Sequence, residues 1–595
     1  MKLSLCMIVK NEEKNLPRCL DSVKDIVDEM IIVDTGSTDK TIDIAKNYNS
    51  KVYYFKWCNN FSKSRNYSIE KAKGDWILIM DGDDRLEPND KTSLLKLLDN
   101  EDTDIYFMQT LSYVGTKPGL NVVNNLNVRL IRNNKGYKFK GEIHEQLDYP
   151  DGIDRKKVTK VANIKFHHYG YLNYNIKEKN KRKRNIEILK EVLEKDSHNS
   201  FNLFNIGNEY FALEDYEKAL VYYKKSYDKF NPTCGFSPKL IFRIIMCLNE
   251  LNRYDEALSI INKGLRYYPR FTDLLFVKGI ISDKRKNTLL TIETFNQCLK
   301  MGEPPLYLSF IVGVGSYRPH HGLAEIYYSL GEYDKAYYHY VETLKKRNDY
   351  IQPLYRIAHI LKKNSYKIDN IKKTLEGFFG DSIDENCYFI LSDIFFDLKE
   401  YNVASDYLSN ISVGSKNYNK AQYYKALCLL YKKDYRKAYE NFYRIDNKES
   451  FEDIKYKMAL CKVLDNQLDK AYSLISKVKD NTSKDKIKVY NTFLDILSDK
   501  KYNPYDYTSN VVINIIFSIL DTLLHLEEYD VFEKTLNFLN IVNDNSVLLR
   551  LGKLYYKHGH FNLAYKEFIR SIRLFNVIDA EGLEIMWKIR RCNLA

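Results

Sequence analysis

The hydrophobic pattern of this chain follows two different rules, and the change between them near Tyr171 constrains the fold more than any single motif. Before it, short apolar runs rich in β-branched residues alternate with amphipathic stretches. Leu3 to Val9, Met30 to Val33, Lys51 to Phe55 and Trp76 to Met80 read as strands, whereas Leu16 to Val27, Thr41 to Tyr48 and Phe61 to Lys73 read as helices. Such alternation predicts a mostly parallel sheet covered by helices. After Tyr171 the strand signal stops. A small residue then recurs twelve positions before an alanine, linking Gly207 to Ala219, Ala324 to Ala336, Ser392 to Ala404, Ala426 to Ala438, Ala459 to Ala471 and Gly552 to Ala564. Paired helices that cross closely need small residues at the crossing, with large ones filling the groove beside them.

That spacing is the mark of tetratricopeptide-type helix pairs. Ala257 with Gly264 and Pro269, and Gly279 with Phe295, mark weaker units, and residues 350 to 385 and 480 to 545 are degenerate. At least seven units are recognisable, enough to bury a continuous core by stacking. A chain of 595 residues is also too long for one core. The expected organisation is an α/β domain over 1–175, a basic helical linker over 176–198 and an all-α repeat solenoid over 199–595. The linker, Ile176 to Asn185, carries six basic residues; it reads as a solvated helix face or as a cationic wall beside a diphosphate. Gly313 to His321 interrupts the repeats with an atypical glycine-rich loop. Its Tyr317, Arg318, His320 and His321 are candidate contacts to an acceptor, the alternative being a connector that packs on its own array.

Composition narrows the class. A hydrophobic fraction of 44% with 29% charged residues excludes a disordered or collagen-like chain. The net charge of +13 is spread along the whole length among 79 acidic residues, not gathered into a stripe, so no nucleic-acid partner is expected. The apolar stretch Val511 to Leu526 is broken by Asn514, Asp521 and His525, which suits a buried helix and not a membrane span. Glu12 and Glu13 argue against a secretory signal. Ten scattered cysteines with no Cys-x-x-Cys pair suggest a reduced, cytoplasmic protein.

Two of the apolar strands run straight into carboxylates: Ile32-Val33-Asp34-Thr35-Gly36-Ser37-Thr38-Asp39, and Trp76 to Met80 followed by Asp81-Gly82-Asp83-Asp84. An open α/β sheet places polar groups in the crevice beyond its strand ends in this way. Asp81 and Asp83, one residue apart, can jointly address a hard divalent cation that bridges to phosphate oxygens.

Four pieces in order carry a resemblance: Leu3 to Glu13, Ile32 to Asp39, Phe61-Ser62-Lys63-Ser64-Arg65-Asn66, and Trp76 to Asp84. Together they resemble family 2 inverting glycosyltransferases of the GT-A (Rossmann-like) fold, over residues 1 to about 170. The resemblance implies a UDP-sugar donor and a divalent cation, Mn2+ or Mg2+. It implies that Asp34, with Ile8, Val9, Asn11 and Glu12 near by, holds the uracil and ribose, and that Arg65, Asn66 and Asp81 lie beside the nucleotide. Thr35 stands where many relatives carry a second aspartate. Asp83, with Asp81, is implied on the metal side and in catalysis. In Gly141-Glu142-Ile143-His144-Glu145-Gln146-Leu147 the family places its general base at Glu145, with Glu142 as the alternative. His168 is the implied third metal ligand, and in a strand His167 would point the other way.

A catalytic domain fused to such an array resembles bacterial peptide and flagellin glycosyltransferases, the sublancin S-glycosyltransferase type among them. The resemblance implies a protein or peptide acceptor held by the repeats. The expected reaction is transfer of N-acetylglucosamine from its UDP form to Ser or Thr of a protein such as flagellin. The alternatives are S-linked transfer of glucose to a bacteriocin cysteine, and a scaffold whose nucleotide-sugar domain no longer turns over.

Overall fold

The computed structural model describes residues 1–114, 121–170, 176–380, 383–446, 453–478, 484–501 and 509–592. The chain forms two compact units, Met1–Pro353 and Leu354–Ala595.

The first unit opens with the α/β part. In order its elements are β1 (Leu3–Val9), α1 (Leu16–Asp21), β2 (Glu29–Asp34), α2 (Thr41–Asn47), β3 (Lys51–Tyr54), α3 (Phe61–Glu70), β4 (Trp76–Ile79), β5 (Asp84–Leu86) and α4 (Lys91–Leu97). Then come β6 (Ile105–Val114), β7 (Asn121–Arg132), β8 (Lys138–Lys140), β9 (Gln146–Asp148), α5 (Arg155–Val158), β10 (Thr159–His168) and α6 (Ile176–Lys195). Eight strands form one sheet in the order β3-β2-β1-β4-β7-β6-β10-β5. The first four pair in parallel; β7 runs antiparallel to β4 and β6, and β5 runs antiparallel to β10. The sheet is therefore mixed where the alternating pattern predicted mostly parallel. Its second half, β7-β6-β10-β5, is built around a long β6–β7 hairpin, which needs no crossover helix, with β10 parallel to β6. Helices α1 and α3 are also shorter than the expected Leu16 to Val27 and Phe61 to Lys73.

Strands β1, β2 and β4 are apolar on both faces because both faces are covered. Leu3, Leu5, Met7, Ile32 and Leu78 pack on one side, while Cys6, Ile31, Ile77 and Ile79 pack on the other. The strand order reverses between β1 and β4, so a crevice opens beyond the carboxyl ends of β1, β2 and β4. β8 and β9 form a small separate hairpin.

The rest of the first unit is helical: α7 (Ser200–Ala212), α8 (Tyr216–Tyr227), α9 (Ser237–Glu250), α10 (Tyr254–Tyr267), α11 (Thr272–Lys284), α12 (Thr288–Met301), α13 (Tyr317–Ser329) and α14 (Tyr333–Lys346). The second unit continues in antiparallel pairs such as Glu385–Asp397 with Tyr401–Ser409, Tyr418–Tyr431 with Tyr435–Asp446, and Val547–Lys557 with Phe561–Phe575. Small residues sit where the spacing put them and for the reason given: a Cβ on Gly207 would lie 2.4 Å from the Tyr223 ring, one on Gly279 2.5 Å from Phe295, and one on Gly552 2.8 Å from Phe568. The degenerate stretches hold helices too, including Gln352–Lys363, Ile368–Glu376, Lys484–Leu497 and Asn510–His525. The last buries Val512, Ile513, Ile516, Leu520 and Leu523. Among the described residues no helix is long and apolar enough to cross a membrane, and nine cysteines are free thiols.

The glycine-rich segment is not wholly a loop. Gly313 turns with φ +86°, a Cβ on Gly315 would strike the Gly302 carbonyl carbon at 2.0 Å, and Tyr317 already belongs to α13. Pro319 is accommodated because the first turn of a helix has no backbone partners for its missing N–H.

Candidate active site

The mouth of the crevice is built from strand ends. At the end of β2, both oxygens of the buried Asp34 accept backbone N–H bonds, Oδ2 from Gly36 (2.9 Å) and Oδ1 from Ser37 (3.1 Å). This Asx-type turn aims the chain back toward β1. Asn11, at φ +58°, accepts from the Thr38 N–H at 2.8 Å, and the Asn11 N–H donates to Ser37 Oγ at 3.0 Å. The two strand-end turns are thereby stitched together. Glu12 packs over Gly82, where a Cβ would lie 2.9 Å from its Cγ, so the glycine lets the β1 turn meet the acidic turn after β4. Ile8 and Val9 are the last residues of β1.

The acidic turn divides its work. Asp81, with 42% of its side chain exposed, faces Arg65 NH2 at 3.4 Å and Arg129 NH1 at 3.7 Å. Desolvation would raise its pKa, but Arg65 and then Arg129 outweigh it and hold the carboxyl at about 2. Asp83 and Asp84 face the other way, toward β10. Because β5 pairs antiparallel with β10, Asp84 lies directly opposite His168. His168 Nδ1 sits 3.0 Å from Asp84 Oδ1 and 3.2 Å from Asp83 Oδ1. Burial would lower the imidazole pKa, yet the carboxylates of Asp83 and Asp84 raise it well above the usual histidine value. His167 points to the opposite face, with Nε2 2.8 Å from Glu87 and Nδ1 2.6 Å from the Tyr113 hydroxyl.

One donor atom each from Asp83, Asp84 and His168 lies within 4.8 Å of the others. Two carboxylates and an imidazole suit a divalent cation. Gly170 leaves room beside them, since a Cβ there would lie 2.3 Å from Asp83 Oδ2 and 2.9 Å from His168 Nε2. The residues fit a divalent ion, with Asp84 inside this group and Asp81 outside it. Asp84 is fully buried, and its Oδ2 accepts from Arg129 NH1 at 2.7 Å and from the Asp81 N–H at 2.9 Å. Arg129 is itself 3% exposed and also reaches Thr110 Oγ1 at 3.0 Å. Neither Asp84 nor Arg129 was singled out from sequence. The available signal was an arginine inside the apolar run Val128-Arg129-Leu130-Ile131, where a buried cation requires an acidic partner.

Helix α3 supplies the opposite wall. Asn60 caps it by accepting from the Lys63 N–H at 2.9 Å. Four residues into the helix, Arg65 bridges the two carboxylates: its Nε donates to Glu145 Oε1 at 2.7 Å while NH2 faces Asp81. Burial works against the guanidinium, and the charges of Glu145 and Asp81 raise its pKa despite that. Asn66 points elsewhere; its amide accepts from the Phe139 N–H (2.8 Å) and donates to the Phe139 carbonyl (2.9 Å), clamping the β8–β9 hairpin to α3. Glu145 ends the loop of that hairpin with 12% of its side chain exposed. Arg65, Asp81, Asp83, Glu145 and His168 thus share one mouth with the Asp34 turn, while the Glu142 carbonyl accepts from the Phe61 N–H at 2.8 Å.

The four residues on α13 belong to a different place. Tyr317, Arg318 and His321 line a groove of about 650 Å3 together with Phe276, Glu325 and Tyr350. His320 instead faces His339, Nδ1 to Nδ1, at 2.9 Å. The side chains of 176–181, where much of the basic linker lies, are outside the described residues.

Residues 4–162 match glycosyl transferase family 2, and residues 202–228 match the tetratricopeptide repeat. The chain carries a family 2 glycosyltransferase domain followed by tetratricopeptide repeats. Over 281 residues it is 31% identical to the SPbeta prophage-derived glycosyltransferase SunS of Bacillus subtilis, covering 46% of this chain and 65% of that protein. A TPR repeat-containing protein of Synechococcus elongatus is 29% identical over 265 residues, covering 43% of this chain and 64% of the relative. The chain therefore spans just under two thirds of the length of either relative. Among solved structures, S. aureus TarS overlaps 41% of this chain and 52% of its own at 17% identity, with a TM-score of 0.25. The mixed sheet of the family 2 domain and the helical run behind it are the GT-A-like and repeat parts respectively.

Proposed function

We propose that this chain is an inverting glycosyltransferase that moves a sugar, N-acetylglucosamine from its UDP form being the choice, to a protein or peptide side chain. The observation that carries the reading is the arrangement of Arg65. One guanidinium is shared between Asp81, in the donor crevice, and Glu145, on the opposite lip. In this reading a single side chain spans the leaving-group side and the acceptor side of the transfer site.

In this reading the Asp34 turn and Asn11 receive the nucleoside. Asp83, Asp84 and His168 would hold a divalent cation, Mn2+ or Mg2+, which supplies charge neutralisation for the departing diphosphate. Arg65 and Arg129 add fixed positive charge at that crevice. Glu145 takes the proton of the attacking hydroxyl or thiol, the role an inverting transfer requires on the face opposite the leaving group. A scaffold that had lost turnover would not be expected to keep this set assembled. The repeats provide helical surfaces suited to a polypeptide acceptor, of which Ser or Thr of a flagellin-like protein is the favoured case. The resemblance to the sublancin type supports S-linked transfer as the second reading.

Glu145→Gln tests the proposal. UDP release from UDP-N-acetylglucosamine with Mn2+ should fall by about 100-fold or more, the scale of a lost general base, while UDP affinity by calorimetry stays within about twofold. Asp83→Ala should instead abolish Mn2+-dependent UDP binding. Normal turnover in Glu145→Gln would overturn the base assignment. Intact-mass measurement of modified acceptor protein then separates O-linked from S-linked transfer.

A further inference from the structure

The loop that presents Glu145 is gripped from behind by the repeat array. It joins two strands of three residues each, Lys138–Lys140 and Gln146–Asp148, and a hairpin that short has little stability of its own. His144, the residue before Glu145, stands at φ +54°. A non-glycine side chain is strained there and persists only when its surroundings hold it. What holds it is Glu209 on α7, the first helix of the array. Glu209 Oε1 lies 3.2 Å from His144 Nε2 and accepts from Asn185 Nδ2 at 3.1 Å, and Oε2 accepts from Arg182 NH1 at 3.0 Å. The Glu209 side chain is 0% exposed. A buried carboxylate is tolerated only with such a set of partners, so its position is narrowly determined. The neighbouring Ile143 is buried against Ile188, Leu189 and Ile206, residues of α6 and α7.

We propose that Glu209 is a positioning residue for sugar transfer: through His144 it fixes the loop conformation that sets the Glu145 carboxylate against Arg65. The proposal rests on Glu145 being the base. Two anchors then hold that base, a side-chain contact to α3 within the family 2 domain and a backbone placement dictated by the repeats. The first helix of the array becomes part of the catalytic assembly and not only an acceptor arm. None of the crevice elements β1, β2 or β4 contributes to the tether, so donor binding should not depend on it.

The test uses full-length protein and four variants: His144→Gly, Glu209→Gln, their double mutant, and Glu145→Gln as reference. His144→Gly removes the tether while relieving the positive φ, which keeps the experiment informative if a Glu209 substitution fails to fold. Amide hydrogen exchange over 141–147 should quicken by about tenfold in His144→Gly while exchange over 61–70 is unchanged, whichever donor the enzyme prefers. The kcat for UDP release from UDP-N-acetylglucosamine with Mn2+ should fall about 10- to 100-fold, as for a misplaced catalytic group, with KM within about twofold. The double mutant should lose no more than the worse single mutant, because both break one contact. Unchanged exchange over 141–147 would overturn the tether. Unchanged kcat in His144→Gly, when Glu145→Gln has abolished turnover, would overturn its catalytic use. Full turnover in Glu145→Gln is a different result, which removes the base assignment and the proposal with it.

Discussion

At the scale of single residues, the three aspartates of Asp81-Gly82-Asp83-Asp84 differ because of what surrounds each one. Asp84 is fully buried and compensated by Arg129 and His168, whereas Asp81 is 42% exposed and can be solvated when its arginines move. Removing the charge of Asp84 leaves the buried Arg129 with only the longer, 3.7 Å contact to the partly exposed Asp81, and breaking a buried pair in this way costs about 3–5 kcal/mol. The same change at Asp81 touches a partly solvated pair worth about 1 kcal/mol or less. Asp84→Asn should therefore lower the urea midpoint markedly, and Asp81→Asn should leave it nearly unchanged. Equal losses in the two variants would mean that Arg129 does not depend on Asp84. The sequence could show that a carboxylate cluster follows β4, since an apolar strand running into acidic residues is a local pattern. Which of the three lies inside the protein depends on the pairing of β5 with β10, 84 residues later, and no local pattern reports that.

At the scale of elements, legibility follows the same division. Strands β1, β2 and β4 were readable because both faces are buried and each is dominated by apolar residues. β7 was not, because Asn121-Val122-Val123-Asn124-Asn125-Leu126-Asn127 carries four asparagines, residues depleted from strands. Here they serve a polar ladder, with Asn124 Nδ2 on Gln109 and Asn127 Nδ2 on Thr110. In the repeats the small residues were legible, while only some of the turns were, among them those at Asn252, Gly331, Asn466 and Gly559. Glu214, Lys286, Lys399, Lys433 and Glu527 all take positive φ between paired helices, where glycine or asparagine would have been the signal. The close crossings give a direct test. Gly279→Val would push a side chain into Phe295 at 2.5 Å, and such overpacking costs about 1–3 kcal/mol. Gly377→Ala, where a Cβ meets nothing within 4 Å, should change the thermal midpoint little. Phe295→Leu should restore part of the loss in Gly279→Val, and no recovery would show that the clash lies elsewhere.

At the scale of the whole molecule, the boundary that matters for folding is not the one that the change of sequence pattern marks. Strands end at His168 and helices take over from Ile176, yet the first compact unit runs on to Pro353. Its helices α6 and α7 bury Ile143 and pair Glu209 with His144, so the family 2 domain completes its packing with residues of the helical part. Two shortened chains separate the alternatives. A chain ending at Pro353 keeps every contact described for the crevice, the Glu145 loop and the groove on α13; it should unfold cooperatively and retain UDP release close to that of the full chain. One ending at His198 strips Ile206 and Tyr210 from the cluster of Ile143, Ile188 and Leu189, removes the buried partner of His144 and Arg182, and should lose at least about tenfold in UDP release. It should also melt at lower temperature, because apolar surface covered by α7 returns to water at about 25 cal/mol per Å2. If the shorter chain matched the longer in both melting and turnover, the family 2 domain would be self-sufficient. Loss of activity in the chain ending at Pro353 would instead place an essential contribution beyond residue 353.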